Sequence, residues 1–98
     1  METFNEIING EQPVLVDFYA AWCGPCQSLA PVIEELGREV QGFARVLKID
    51  IDKNQSLVKK FHIQSVPTLI ILKKGIIYWK HFGYADKSTL LNEINKVK

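Results

Sequence analysis

Hydrophobic and polar positions recur with more than one period along this chain of 98 residues. Near the start, Phe4, Ile7 and Ile8 are spaced as on one helical face, which predicts a short helix over Thr3 to Asn9 with Thr3 as its cap. Gly10-Glu11-Gln12-Pro13 then stops it. Val14 to Ala20 is an apolar run broken only by Asp17, the pattern of a strand buried on both faces. Leu29, Val32, Ile33 and Leu36 form one face of a helix over Ser28 to Val40, with Glu34, Glu35, Arg38 and Glu39 opposite. Pro31 lies inside that helix, where it removes one intrahelical bond and predicts a kink.

In the second half, Leu47, Ile49 and Ile51 alternate with Lys48 and Asp50, predicting a strand over Arg45 to Ile51. Asp52 or Asn54 can cap a short helix through Phe61 whose Leu57, Val58 and Phe61 face inward. Pro67 opens an apolar strand, Thr68 to Leu72, as proline is allowed to do. Lys73-Lys74-Gly75 is a turn joining it to Ile76 to Phe82 as an antiparallel hairpin. Tyr78, Trp79, His81 and Phe82 crowd this last strand and read as packing under the final helix, the alternative being a partner surface. Asp86 caps that helix, Leu90, Leu91, Ile94 and Val97 form its apolar stripe, and Lys96 and Lys98 suit its C-terminal end. The element order predicts an α/β fold: a central mixed sheet covered by helices on both faces, in a single domain spanning residues 1–98.

Composition narrows the function. A hydrophobic content of 47 % fits one packed core. Twelve basic against eleven acidic residues leave a net charge of +1, which argues against nucleic acid as a partner. The start, Met1-Glu2-Thr3-Phe4-Asn5-Glu6, has acids where a secretory signal needs bases, and no apolar run reaches membrane-spanning length. A cytoplasmic, monomeric protein with no membrane association is expected. In that compartment a close cysteine pair is more plausibly catalytic than a structural staple.

That pair is the strongest chemical signal in the chain: Trp22, Cys23, Gly24, Pro25 and Cys26 hold both cysteines where the predicted strand gives way to the predicted helix. A helix start offers unpaired N–H donors and the positive end of the macrodipole, both of which favour thiolate. Cys23, at the turn and nearer solvent, is therefore assigned attack on a substrate disulfide, and the shielded Cys26 resolution of the mixed disulfide. Gly24 tolerates close backbone approach, Pro25 suits a first helical turn, and Trp22 supplies an apolar wall beside the thiol. Two small buried hydrophobes, or half of a zinc site, are the alternatives. Zinc would need further ligands, and His62 and His81 have no metal-like spacing, so no metal is expected. Asp17, inside the apolar run, should have a raised pKa suited to proton exchange near neutrality, against the plainer reading of a half-exposed strand-end aspartate.

The stretch Val-Asp-Phe-Tyr-Ala-Ala-Trp-Cys-Gly-Pro-Cys (Val16 to Cys26), followed by Val66-Pro67-Thr68 and Gly83 at fitting intervals, resembles the thioredoxin family over nearly the whole chain. A depressed thiol pKa and a reducing potential are reference properties of that family. The resemblance implies the thioredoxin fold, with its first edge strand truncated or missing because only Met1 and Glu2 remain to supply it. It implies that Asp17 is the buried acid that takes the proton of Cys26. It matches Lys48 to a lysine approaching that acid, although an ordinary solvated strand residue is an equal reading, and Pro31 to a kink that tilts the first turn over the site. It further implies a cis bond before Pro67, and an apolar groove in which Val66, Pro67 and Gly83 join Trp22, Gly24 and Pro25 to hold an extended substrate. Gln27 departs from the family's frequent lysine.

By the same resemblance, the activity is reduction of disulfides in client proteins. No cofactor is then bound by the chain itself, a flavin- and NADPH-dependent thioredoxin reductase restoring the dithiol. The rivals are a disulfide oxidase or isomerase of the same fold, disfavoured because Gly24-Pro25 lacks the histidine usual there in oxidising members, and a non-catalytic binding module using Trp22, Val66, Trp79 and Phe82.

Overall fold

The computed structural model describes residues 1–98. Its elements in chain order are α1 (Phe4–Ile8), β1 (Val14–Tyr19), α2 (Gly24–Glu39), β2 (Arg45–Asp50), α3 (Gln55–Lys60), β3 (Thr68–Lys73), β4 (Ile76–Phe82) and α4 (Lys87–Val97). The four strands form one mixed sheet in the order β2-β1-β3-β4. β1 runs parallel to β2, with Asp17 level with Lys48, and antiparallel to β3, with Asp17 level with Leu69. No strand precedes α1, so β2 and β4 are the sheet's edges.

The two-residue period of a strand decides what each face of the sheet meets. On one side Val14, Val16 and Phe18 pack with Ile8, Phe61, Ile63, Ile70 and Leu72 beneath α1 and α3. On the other, Leu15 packs with Leu29, Ile33, Leu36, Leu69, Ile71, Leu90 and Ile94, beneath α2 and α4. Each fully buried side chain of this kind contributes roughly 1.5–3 kcal/mol. Asp17 has the parity of Leu15. The alternation that builds the core therefore turns a carboxylate toward α2, the helix that carries the cysteines.

Local chemistry sets the element ends. Thr3 caps α1 through a reciprocal pair in which its hydroxyl accepts from the Glu6 N–H and the Glu6 carboxylate accepts from the Thr3 N–H. Asp86 caps α4 by accepting from the Thr89 N–H at 2.9 Å, and Lys87 in the next position bridges to Glu35 and Glu39 of α2. The hairpin turn has Lys74 at φ 53° and Gly75 at φ 77°, the paired left-handed conformation that matches strand twist. It docks on the end of α1, where the Gly75 N–H donates to Ile8 O at 2.8 Å. A Cβ at Gly75 would collide with the Asn9 side-chain oxygen.

Three expectations are corrected. α2 starts at Gly24 and not at Ser28, because Cys23 acts as its N-cap and Pro25 fits the first turn; the helix continues past Pro31 to Glu39. Asn54 occupies the cap position of α3 without a side-chain capping bond, since its amide donates to Asp50 O instead. The aromatics of β4 are not collectively covered by α4. Trp79 packs against that layer, whereas Ile76, Ile77, Tyr78 and Phe82 are exposed, because an edge strand has neighbours on one side only.

Candidate redox site

Cys23 and Cys26 form a disulfide with a Cα–Cα separation of 5.3 Å. β1 delivers the chain to this point, Ala20 O accepts from the Cys23 N–H, and the first turn of α2 begins at the next residue. Cys23 Sγ accepts from the Cys26 N–H at 3.1 Å. One of the orphan donors of the helix start is thus aimed at the outer sulfur, where it favours negative charge. Both cysteines are 5 % exposed, so the expected difference in solvent access is absent from the oxidised pair. What distinguishes them is direction: Cys23 Sγ lies 3.7 Å from Val66 O, while Cys26 faces a cavity beneath the pair.

The peptide bond between Val66 and Pro67 is cis, and Val66 packs against Ala20, Cys23 and Cys26. Thr68, next in the chain, is fully buried and its hydroxyl donates to Ser65 O at 2.7 Å, which braces the loop. The Gly83 N–H donates to Pro67 O at 2.9 Å. Gly83 has φ 91°, and a Cβ placed on it would meet no atom within 4 Å, so glycine is needed for its backbone and the space over it is open. Gly24 has neither a positive φ nor a neighbour that a Cβ would meet; its backbone does not demand glycine. Gly24 and Pro25 are exposed on the surface. Trp22 is 68 % exposed. Instead of packing on the sulfurs it is tethered outward, its Nε1–H donating to Asp52 Oδ2 at 3.0 Å.

Beneath the disulfide, Asp17, Tyr19, Ala20, Ala21, Cys26, Gln27, Ala30 and Lys48 line a cavity of about 140 Å³. Asp17 is 1 % exposed and its Oδ1 has no hydrogen-bond partner. Burial raises its pKa from the ordinary 3.8 to about 6, against the opposing pull of the Lys48 ammonium. Lys48 lines the same cavity, but its Nζ stands 5.0 Å from the centroid of the Tyr19 ring. Gln27, where the family often has lysine, donates to Ala21 O at 3.3 Å across the cavity rim.

The structure thus brings Cys23, Cys26, Asp17, Lys48, Val66, Pro67 and Gly83 into one neighbourhood. Pro31 falls further along α2 and is not among the residues lining the cavity. Tyr19 was not singled out from sequence, and Gln27, Thr68 and Asp52 were read there only as a departure from the family, the start of a strand and a helix-cap candidate. Tyr19 was legible only as two positions beyond Asp17 on the same strand face. The bond between Trp22 and Asp52 had no local signal, because the two residues are 30 positions apart.

A cysteine pair at a strand-to-helix junction, facing a cis proline and underlain by a buried acid, defines a dithiol–disulfide oxidoreductase. The thioredoxin family model matches residues 1–96. A thioredoxin of Rickettsia conorii is 43 % identical over 91 residues, covering 93 % of this chain and 87 % of its own. One of Staphylococcus saprophyticus is 48 % identical over 82 residues, covering 84 % and 79 %. Among solved structures, a mutant thioredoxin from Halobacterium salinarum superposes with a TM-score of 0.83 at 39 % identity, covering 94 % of this chain and 80 % of its own. The chain belongs to the thioredoxin family. It is a protein-disulfide oxidoreductase built on the thioredoxin fold, and Cys23–Cys26 is the pair that fits the family's motif.

Proposed function

We propose that the protein reduces disulfides in client proteins by the following division of labour. The Cys23 thiolate attacks one sulfur of the client disulfide, forming a mixed disulfide and releasing the other client sulfur as a thiolate. Cys26 then loses its proton to Asp17 and attacks Cys23 Sγ, which expels the second client thiolate. Two electrons pass to the client, and the protein leaves as the Cys23–Cys26 disulfide. The observation that carries this reading is the opposed surroundings of the two sulfurs, with Cys23 beside Val66 O and Cys26 over the Asp17 cavity.

The extended client lies along Trp22, Gly24, Pro25, Val66, Pro67 and Gly83. Open space over Gly83 and over Gly24 supports this, since a backbone can approach there without meeting a side chain. Lys48 supports the site by lowering the pKa of Asp17 toward a useful range. A thioredoxin reductase carrying flavin and using NADPH returns the pair to the dithiol, so the chain itself holds no cofactor. It acts as a monomeric domain in the cytoplasm. No helix is long and apolar enough to cross a membrane.

Equilibration with graded dithiol and disulfide buffers tests the direction of electron flow. A reductase should give a potential near the roughly −270 mV that is the thioredoxin family's reference value. A value above the glutathione range of roughly −220 mV would assign oxidation or isomerisation. Absence of any reversible disulfide would leave only a binding module.

A further inference from the structure

Proton acceptance by Asp17 leaves unexplained why Lys48, level with it on the neighbouring strand, does not close on it. Asp17 Oδ1 is buried with a free lone pair, and the two side chains line the same cavity. A freely moving ammonium in that position is drawn to the carboxylate. It is found over the ring of Tyr19 instead. Tyr19 shares the strand face of Asp17 two residues on, and it is only partly buried, so its ring forms the outer wall of the cavity.

We propose that Tyr19 is a positioning residue: its ring holds the Lys48 ammonium at a standoff, close enough to act on Asp17 through space but kept from pairing with it. An aromatic face attracts a cation through its quadrupole. The attraction is weaker than an ion pair, but it is made at the cavity mouth, where the lysine keeps its hydration. The carboxylate is therefore left unpaired and able to receive a proton. A direct ion pair would hold it ionised far below neutrality and remove it from proton exchange.

No carboxylate forms an ion pair with Lys48. α2 presents Cys26, Gln27 and Ala30 to the cavity, and the cysteines are tied in the disulfide. β3 presents the apolar Leu69 beside Asp17. On β2, Asp50 lies level with Tyr19 and its Oδ1 is occupied by the Asp52 N–H.

The inference rests on the reading of Asp17 as the proton acceptor, and the experiment separates the two. In the oxidised protein, the Asp17 side-chain carboxyl carbon is titrated by NMR in the parent and in Tyr19→Leu, Tyr19→Phe, Lys48→Met and Tyr19→Leu/Lys48→Met. Tyr19→Leu should lower the Asp17 midpoint by about one pH unit as Lys48 closes in. Tyr19→Phe, which keeps the ring, should titrate as the parent does. In the Lys48→Met background, Tyr19→Leu should produce no further shift. An unchanged or raised midpoint in Tyr19→Leu, an equal shift in Tyr19→Phe, or a shift that persists without Lys48 would overturn the proposal. The pH profile of turnover in the same variants judges the other reading. A midpoint that moves by NMR while the profile stays fixed would refute Asp17 as the proton acceptor and leave the standoff intact.

Discussion

The indole of Trp22 is held by the carboxylate of Asp52, Nε1 to Oδ2 at 3.0 Å, so the residue beside the outer cysteine is anchored from the loop that follows β2. The tether limits the motion of an exposed ring at the border of the proposed groove. A hydrogen bond of this kind is worth roughly 0.5–1.5 kcal/mol net. Asp52→Ala should therefore raise KM for a client disulfide about 2- to 10-fold with kcat little changed. Fluorescence anisotropy of Trp22, read in a Trp79→Phe background, should fall at the same time. Asp52→Asn keeps an acceptor oxygen and should restore both. Unaltered anisotropy in Asp52→Ala would show that the ring is held by something else.

Cys26→Ser separates the two thiol steps. Cys23 keeps its helix N-terminus and the Cys26 N–H now belongs to serine, so attack on the client should proceed. Resolution has lost its sulfur. Mixed disulfides through Cys23 should accumulate and persist until added dithiol releases them, as seen by non-reducing electrophoresis and intact mass. If the Cys23→Ser protein traps clients instead, the roles are reversed.

Much of this architecture was legible in the chain because the relevant signals are local. The apolar run of β1, the alternation in β2, the Lys74-Gly75 turn and the Asp86 cap each depend on neighbours within a few residues. Asp17 stood out for the same reason, as a single carboxylate inside an apolar run. The misreadings have a common physical cause. Cys23 looked like a turn residue nearer solvent because part of its cover comes from Val66, 43 positions away. The β4 aromatics looked buried because periodicity marks which residues share a face and says nothing of which strand is an edge. The standoff of Lys48 over Tyr19 joins two strands and had no sequence signature at all.

Gly83 and Gly42 make a controlled pair. Both have a left-handed φ, 91° and 96°, and neither has an atom where a Cβ would go. Alanine at either position should cost about 1 kcal/mol in stability through backbone strain alone. Only Gly83 is bonded to Pro67 beside the cysteines; Gly42 lies in the turn after α2, where its carbonyl accepts from Gln12. Gly83→Ala should add a rise in KM for clients, as the methyl group meets the incoming backbone, whereas Gly42→Ala should leave turnover as it is. Equal kinetics in the two variants would remove Gly83 from the groove. Urea melts of both supply the stability comparison.

Asp17→Asn should make the protein slower and more stable, with the gain confined to one side of a pH window. The carboxyl has its pKa raised by burial to about 6 from 3.8, so the folded state holds a proton that the unfolded chain releases between these values. Stability accordingly falls as pH rises from about 4 through 6 and levels off above, since the unfolded state binds fewer protons across that range. At pH 7.5 the ionised, unpaired carboxylate weakens the fold by roughly 2–3 kcal/mol, because moving a pKa by one corresponds to about 1.4 kcal/mol. Asparagine has no charge to bury and should recover that amount in urea melts of the oxidised protein at pH 7.5. At pH 3.5 Asp17 is itself neutral, and the two proteins should melt together. The same substitution removes the acceptor for the Cys26 proton, so resolution of the mixed disulfide at neutral pH should slow by about two orders of magnitude or more, in line with the typical contribution of a positioned general base. A stability gain that is the same at both pH values would mean that packing, and not ionisation, is what Asp17 disturbs. An unchanged resolution rate would place the proton elsewhere.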